Sequence, residues 1–337
     1  MKFAPRLSLV VTLMLGCASA PQVPASQPCA ASPEVEVTLL RLGGLDGVRR
    51  RTRVGSRYAE ISAMAWHGDT LWLLPQYPER FARPGEEAAL LSLSRAEIEA
   101  AIAAPERVLT PGRVPMRLGA AATLPGSEGF EALVVEGDAL WVTVETTVNE
   151  RTAGVLLRGQ VGADGVVSLD AAVSPHGQLE APRALPNTGF EALVASPDGV
   201  AALFEANGAA LGELAPRALL FARDLASPPR AVAMPRIEYR ITDATPVDAA
   251  GRFWVTQYFF PGDWFLAPAE TPAVHTVEAL VELQWSPAAI TRTARPPTVL
   301  RLGHHPRNWE GLVRLGDRGF LLVTDEWPDT LLGFVPR

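Results

Sequence analysis

Five times between Ser62 and Asp325 the chain runs through one order of polar and apolar positions: an oxygen-bearing side chain, an apolar run, a tight turn holding Gly or Asp, a second apolar run, and a second polar residue. Two copies open on the same hexapeptide, Gly129-Phe130-Glu131-Ala132-Leu133-Val134 and Gly189-Phe190-Glu191-Ala192-Leu193-Val194. Each reaches a further acid fourteen residues on, Glu131 to Glu145 and Glu191 to Glu205. Ser62 to Gln76 and Asp243 to Gln257 keep that spacing, and Glu310 to Asp325 adds one residue in the turn Gly316-Asp317-Arg318-Gly319. Apolar runs of this length joined by Gly/Asp turns predict β-hairpins. Their recurrence predicts a stacked or circular array.

The leading residues 62, 131, 191, 243 and 310 lie 69, 60, 52 and 67 positions apart, room for about four short strands per unit. Only 27 residues follow Glu310, while the strand-like Val35-Glu36-Val37-Thr38-Leu39-Leu40 precedes the first unit with no partner of its own. Pairing the two ends completes the fifth unit and closes a ring. The expected fold is therefore all-β, a five-bladed β-propeller closed by pairing of its N- and C-terminal segments, with six blades as the alternative. No linker interrupts residues 35–337, which read as one domain. Ser94-Arg95-Ala96-Glu97 has capping-box spacing and predicts one short helix stopped by Pro105, with Ile98 and Ile102 on one face. The aromatic run Tyr258-Phe259-Phe260, continued by Trp264-Phe265, reads as packing between blades or as one wall of a pocket.

Before residue 35 the pattern changes. Lys2, Arg6, the apolar Leu7–Leu15 and the small residues after them form an export signal too short to span a bilayer. Met14-Leu15-Gly16-Cys17 resembles a bacterial lipobox, so residues 1–16 are expected to be a lipoprotein signal peptide, Cys17 the lipidated residue and 17–34 a flexible tether. Cleavage after Ala18-Ser19-Ala20 is the competing reading, although it would leave Pro21 as the first mature residue. The expectation is an exported monomer of the bacterial cell envelope, touching the membrane through its lipid alone. Cys29 then has no disulfide partner.

Charge and composition narrow the chemistry. Losing Lys2 and Arg6 takes the net charge from -7 to -9, which speaks against nucleic acid as a partner. Lys2 is the sole lysine, which removes Schiff-base and P-loop enzymes from consideration, and no HExxH, GxSxG or CxxC is present.

If each leading residue starts the innermost strand of a blade, Ser62, Glu131, Glu191, Asp243 and Glu310 ring one mouth of the central channel, with Gln76, Glu145, Glu205, Gln257 and Asp325 in a wider ring beside them. Two carboxylates about 6 Å apart at an effective dielectric near 20 repel by roughly 3 kcal/mol. Raised pKa values, arginines or a cation must offset that. The all-oxygen set Ser62, Glu131, Glu191, Asp243 and Glu310 suits Ca²⁺ and not zinc. The structural alternative is that these acids bond backbone N–H groups of the next blade and lock the ring. Arg80, Arg151 and Arg307 are placed to hold a small anionic substrate, with Tyr77, Arg83, His304, His305 and Trp309 nearby. For each arginine a solvated loop position is the competing reading.

Asn187-Thr188-Gly189-Phe190-Glu191-Ala192-Leu193 with Pro197-Asp198-Gly199 and Glu205 resembles the signature of the secreted family called esterase-like activity of phytase. Asn308-Trp309-Glu310-Gly311-Leu312 through Asp325 resembles that family's closing repeat. A second resemblance, Glu60-Ile61-Ser62 and Trp309-Glu310-Gly311, is to calcium-activated apyrases, five-bladed propellers with one Ca²⁺ in the channel. It implies channel ligands at Ser62, Glu131, Glu191 and Glu310, departs at Asp243 and lacks the lysine-bearing loops. Two functions remain open at this point. One is a calcium-dependent hydrolase of phosphoesters, phosphoanhydrides or esters, with Glu131 or Glu191 as catalytic base or ligand. The other is a non-catalytic ligand- or protein-binding propeller.

Overall fold

The alternating apolar runs fold as antiparallel hairpins, and the hairpins assemble into five blades around a channel. The computed structural model describes residues 32–47, 52–148, 151–185, 187–260, 262, 276–301 and 307–337. The expectations placed on residues 1–31, including Cys17 and Cys29, and on Trp264, Phe265, His304 and His305 lie outside the described residues. No helix among the described residues is long and apolar enough to cross a membrane.

The innermost strands are Ile61–His67, Ser127–Glu136, Ala192–Ser196, Arg240–Ala244 and Trp309–Arg314. Each touches the next in chain order and the fifth touches the first, so the ring is closed. In every blade the second strand pairs antiparallel with the first and the third with the second. Blades one and two also join at their outer edges through the parallel pair Met116 and Val167.

Ring closure follows the orphan-end argument, with one refinement. Thr38, Leu39 and Leu40 pair antiparallel with Phe334, Gly333 and Leu332 and supply the outer strand of blade five. Glu34 and Val35 instead run parallel to Val299 and Leu300 in blade four. The N-terminal segment therefore ties two blades together.

The core divides in the same way. Five apolar clusters lie one at each interface between successive blades: Leu40, Ile61 and Leu321 between five and one, Trp72 and Val142 between one and two, Phe190 and Trp141 between two and three, Phe253 and Val194 between three and four, Trp309 and Trp254 between four and five. Strands buried on both faces read as continuous apolar runs because each blade packs against two neighbours. The predicted helix is Arg95–Ala103, with both halves of the capping box formed between Ser94 and Glu97. Ile98 is buried in the cluster between blades five and one, while Ile102 is only partly buried.

Candidate functional site at the channel mouth

One register brings all ten polar residues to the same end. The second polar residue of each hairpin returns level with the position two before the leading one. The Gln76 N–H donates to the Glu60 carbonyl (2.6 Å), that of Glu205 to Gly189 (2.9 Å) and that of Asp325 to Asn308 (3.1 Å). Gly129 stands opposite Glu145, and Ile241 opposite Gln257. In four blades the leading residue falls where one extra residue interrupts the ladder: between Ile61 and Ala63, Phe130 and Ala132, Ile241 and Ala244, Trp309 and Gly311. A bulge re-aims a side chain that strict alternation would direct elsewhere. In blade three the ladder starts only at Ala192, leaving Glu191 just ahead of it.

The five leading residues then part company. Asp243 is buried and accepts hydrogen bonds from the N–H groups of Ala244 (2.8 Å) and of Leu312 (2.6 Å) in blade five. It locks one blade to the next, as the structural alternative anticipated. Ser62 is buried with its hydroxyl unpartnered. Glu131 is buried and accepts from the Gln76 amide (3.3 Å). Glu191 and Glu310 are half-buried and line a cavity of about 650 Å³ with Glu205, Arg240, Thr242, Asn308 and the aromatics Tyr258, Phe260 and Trp327. The aromatic run after the fourth hairpin thus serves both purposes. Phe259 packs inside against Tyr239 at 4.9 Å, while Tyr258 and Phe260 face the cavity.

Burial and mutual repulsion drive these acids toward their protonated forms. Desolvation, then the charges of Glu145 and Asp325, raise Glu131 well above the usual range. Desolvation, then Asp325 and Glu131, do the same for Glu310. Desolvation with Glu205 raises Glu145 to about 7, and desolvation with Glu60 and Glu326 raises Asp325 to about 7. Blade three differs because a cation intervenes. Arg240, itself buried, forms an ion pair with Glu205 and donates to the Asn187 carbonyl (2.7 Å). Burial still raises Glu205, but Arg240 and a hydrogen bond with Glu191 pull it back. Glu191 is raised well above the usual range by burial, then by Glu205 and Glu310. Burial thus raises both, and Arg240 sets them apart by pulling Glu205 back toward its charged form.

None of the three arginines expected to hold an anionic substrate lines the cavity. Arg307 is buried, ion-paired with Glu278 at 3.2 Å and packed over Trp309, so its charge is spent inside the ring. Arg80 pairs with Glu60 (2.7 Å) and stacks on Tyr77. Arg151 is exposed at the start of an outer strand and does not line the cavity. Arg240, which does line it, went unread, although its place three residues before Asp243 matches that of Glu128 before Glu131. One member of the five-oxygen calcium set, Asp243, is already engaged. Both oxygens of Asp243 accept backbone N–H groups, and among the described residues no three acid, His or Cys side chains are grouped to hold a metal ion. The donors left over are Ser62 Oγ and Asp325 Oδ1, both buried without a hydrogen-bond partner.

Comparison of the sequence with protein-family models and with curated proteins finds no match. The fold does have solved counterparts. A member of the GH130 family, a family of mannoside phosphorylases that contains glycoside hydrolases targeting β-1,2-mannosidic linkages in Candida mannan, is similar over 87% of this chain and 93% of its own, with TM-score 0.50 and 9% identity. A protein from Bacteroides thetaiotaomicron provisionally assigned as a glycosidase is similar over 93% of this chain and 95% of its own, with TM-score 0.50 and 11% identity. At such identities the likeness is one of fold.

Proposed function

We propose that the cavity is a hydrolytic site acting on an ester or glycosidic bond of a substrate that is not anionic. The observation that carries this reading is the Glu191, Glu205 and Arg240 unit on the cavity wall. Two carboxyl groups whose surroundings push their protonation states apart are the usual basis of acid and base roles. Glu191 gives its proton to the leaving-group oxygen as the bond to carbon breaks. Glu205, which Arg240 holds toward its charged form, takes a proton from the water whose oxygen forms the new bond. A base with a raised pKa is well matched to that task near neutral pH.

The resemblance to the esterase-like family and the glycoside-hydrolase names of the two solved counterparts are in keeping with hydrolysis. A phosphoester is disfavoured: the one cation lining the cavity among the described residues, Arg240, is already paired with Glu205. The test is a screen of nitrophenyl esters, glycosides and phosphates with wild type and Glu191→Gln. Turnover of a neutral substrate, lost in the variant, is expected. Turnover of phosphates alone, or activity untouched in Glu191→Gln, contradicts the reading.

A second reading has its own observation. The unpartnered oxygens of Ser62 and Asp325, next to the repelling Glu131 and Glu310, favour a hard cation such as Ca²⁺ that closes the ring of a non-catalytic binding propeller.

A further inference from the structure

We infer that the cavity recognises an organic cation, a quaternary ammonium group seated between the aromatic wall and the acid floor. The inference shares the cavity and its acids with the hydrolase reading but does not depend on it, and it names what the substrate or ligand carries apart from any bond that is broken.

Three features of the cavity point the same way. Among its lining residues Glu191, Glu205 and Glu310 bring three carboxyl groups against one cation, Arg240, and that cation is matched by Glu205. Glu191 and Glu310, which burial and repulsion hold toward their protonated forms, would ionise against a positive guest, so the space favours one. Tyr258, Phe260 and Trp327 present three rings to the same space. Phe260 is 48% exposed and Trp327 53%, although a free protein gains nothing by leaving two large rings in water beside an apolar pocket. Aromatic faces together with carboxylates are the arrangement that takes an alkylated ammonium, through cation–π attraction and desolvation of the methyl groups. Trp327 already shows that affinity: the Arg57 guanidinium lies 3.8 Å from its centroid, its charge met by Glu326 at 2.6 Å. The volume of about 650 Å³ exceeds what a trimethylammonium head needs, leaving room for the rest of a small molecule.

An aliphatic ammonium with bare N–H groups would also meet the acids and the rings, but it gives up a tighter hydration shell to do so. An anion would face three acids with no unspent cation. A neutral sugar would use the rings and not the charge. The quaternary group uses both and loses the least hydration.

Calorimetric titration of the full chain at about pH 8 with choline, and with its neutral carbon counterpart 3,3-dimethylbutan-1-ol, separates these cases. Choline is expected to bind about tenfold or more tightly than the neutral counterpart. Trp327→Leu and Phe260→Leu should each weaken choline by several-fold, and Trp327→Phe should retain most of the affinity because it keeps a ring. Glu310→Gln should bring choline toward the level of the neutral compound while leaving that compound's binding alone. Melting curves of each variant confirm that it is folded. Equal binding of the two compounds, tighter binding of the neutral one, or no heat with choline overturns the inference. Choline binding without turnover of any ester or glycoside keeps it and removes the hydrolase reading. Turnover of neutral substrates by a protein that ignores choline does the reverse.

Discussion

Blades two and three contain the same hexapeptide and put it to different use. In blade two it lies inside the ten-residue strand Ser127–Glu136, and Glu131 is buried against Gln76 with only like charges behind it. In blade three the strand begins at Ala192, so Gly189, Phe190 and Glu191 precede it and Glu191 opens onto the cavity. The glycine has one purpose in both. A Cβ on Gly129 would lie 2.3 Å from Gln76 Cγ, and one on Gly189 would lie 2.2 Å from Glu145 Oε2. Each glycine lets the second polar side chain of the preceding blade cross over it. What separates the copies is the next blade. Arg240 reaches back from blade four to Glu205 and pairs with it, whereas Glu145 in blade two has no ion pair among the described residues and feels Arg240 only as a smaller influence. Local sequence sets the register, and a neighbouring side chain sets the chemistry.

That contrast can be broken most forcefully at its two glutamates. Glu191→Gln should lower turnover by roughly 10²-fold or more, since a positioned general acid contributes about that much. Glu131→Gln should lower it little, because Glu131 does not line the cavity. Equal loss in both variants would erase the distinction between the blades.

Arg240→Met tests the reach between blades. Removing one partner of a buried ion pair costs about 3 kcal/mol, and less here to the extent that Glu205 takes up a proton. Denaturant unfolding should show that loss, smaller at about pH 5 than at about pH 8. The loss should greatly exceed that of Arg151→Met on the surface of blade two.

The glycines give the next effect in size. Gly129 has φ of +140°, a region side chains rarely adopt, and it also faces Gln76 at close range. Gly129→Ala should cost about 1–3 kcal/mol in unfolding experiments. At Gly189 only the crowding against Glu145 applies, so Gly189→Ala should cost less, and shortening Glu145 to Ala should relieve it.

The repeat, the five blades, the closing strand and the common end of both polar rings were legible in the sequence, because hairpin spacing and apolar runs encode them directly. The fate of single residues was not. Asp243 and Glu191 occupy matching positions, yet one bonds the Leu312 N–H and the other faces a cavity, and no pattern along the chain distinguishes them. Arg307 reads as a loop cation because its partner Glu278 lies 29 residues away on another strand. Trp327 lies just past the last paired acid, in a turn whose place at the mouth depends on the closed ring.

The account rests on protons offsetting the crowded acids, and the pH dependence of stability tests this most directly. Glu145 and Asp325 have ordinary values of 4.5 and 3.8 and are raised to about 7 in the fold. Between those limits the folded chain binds more protons than the unfolded one, so stability must fall as pH rises. The groups shifted downward, Asp248 and Glu97, act below that window and oppose it only in acid. Melting curves of the wild type in chelator from about pH 5 to about pH 8 should show a declining Tm, with a shallower decline in Glu131→Gln. A Tm that is flat or rises across that range would contradict the account. An alkaline loss fully reversed by added calcium would hand the mouth to the cation-closed binding propeller instead.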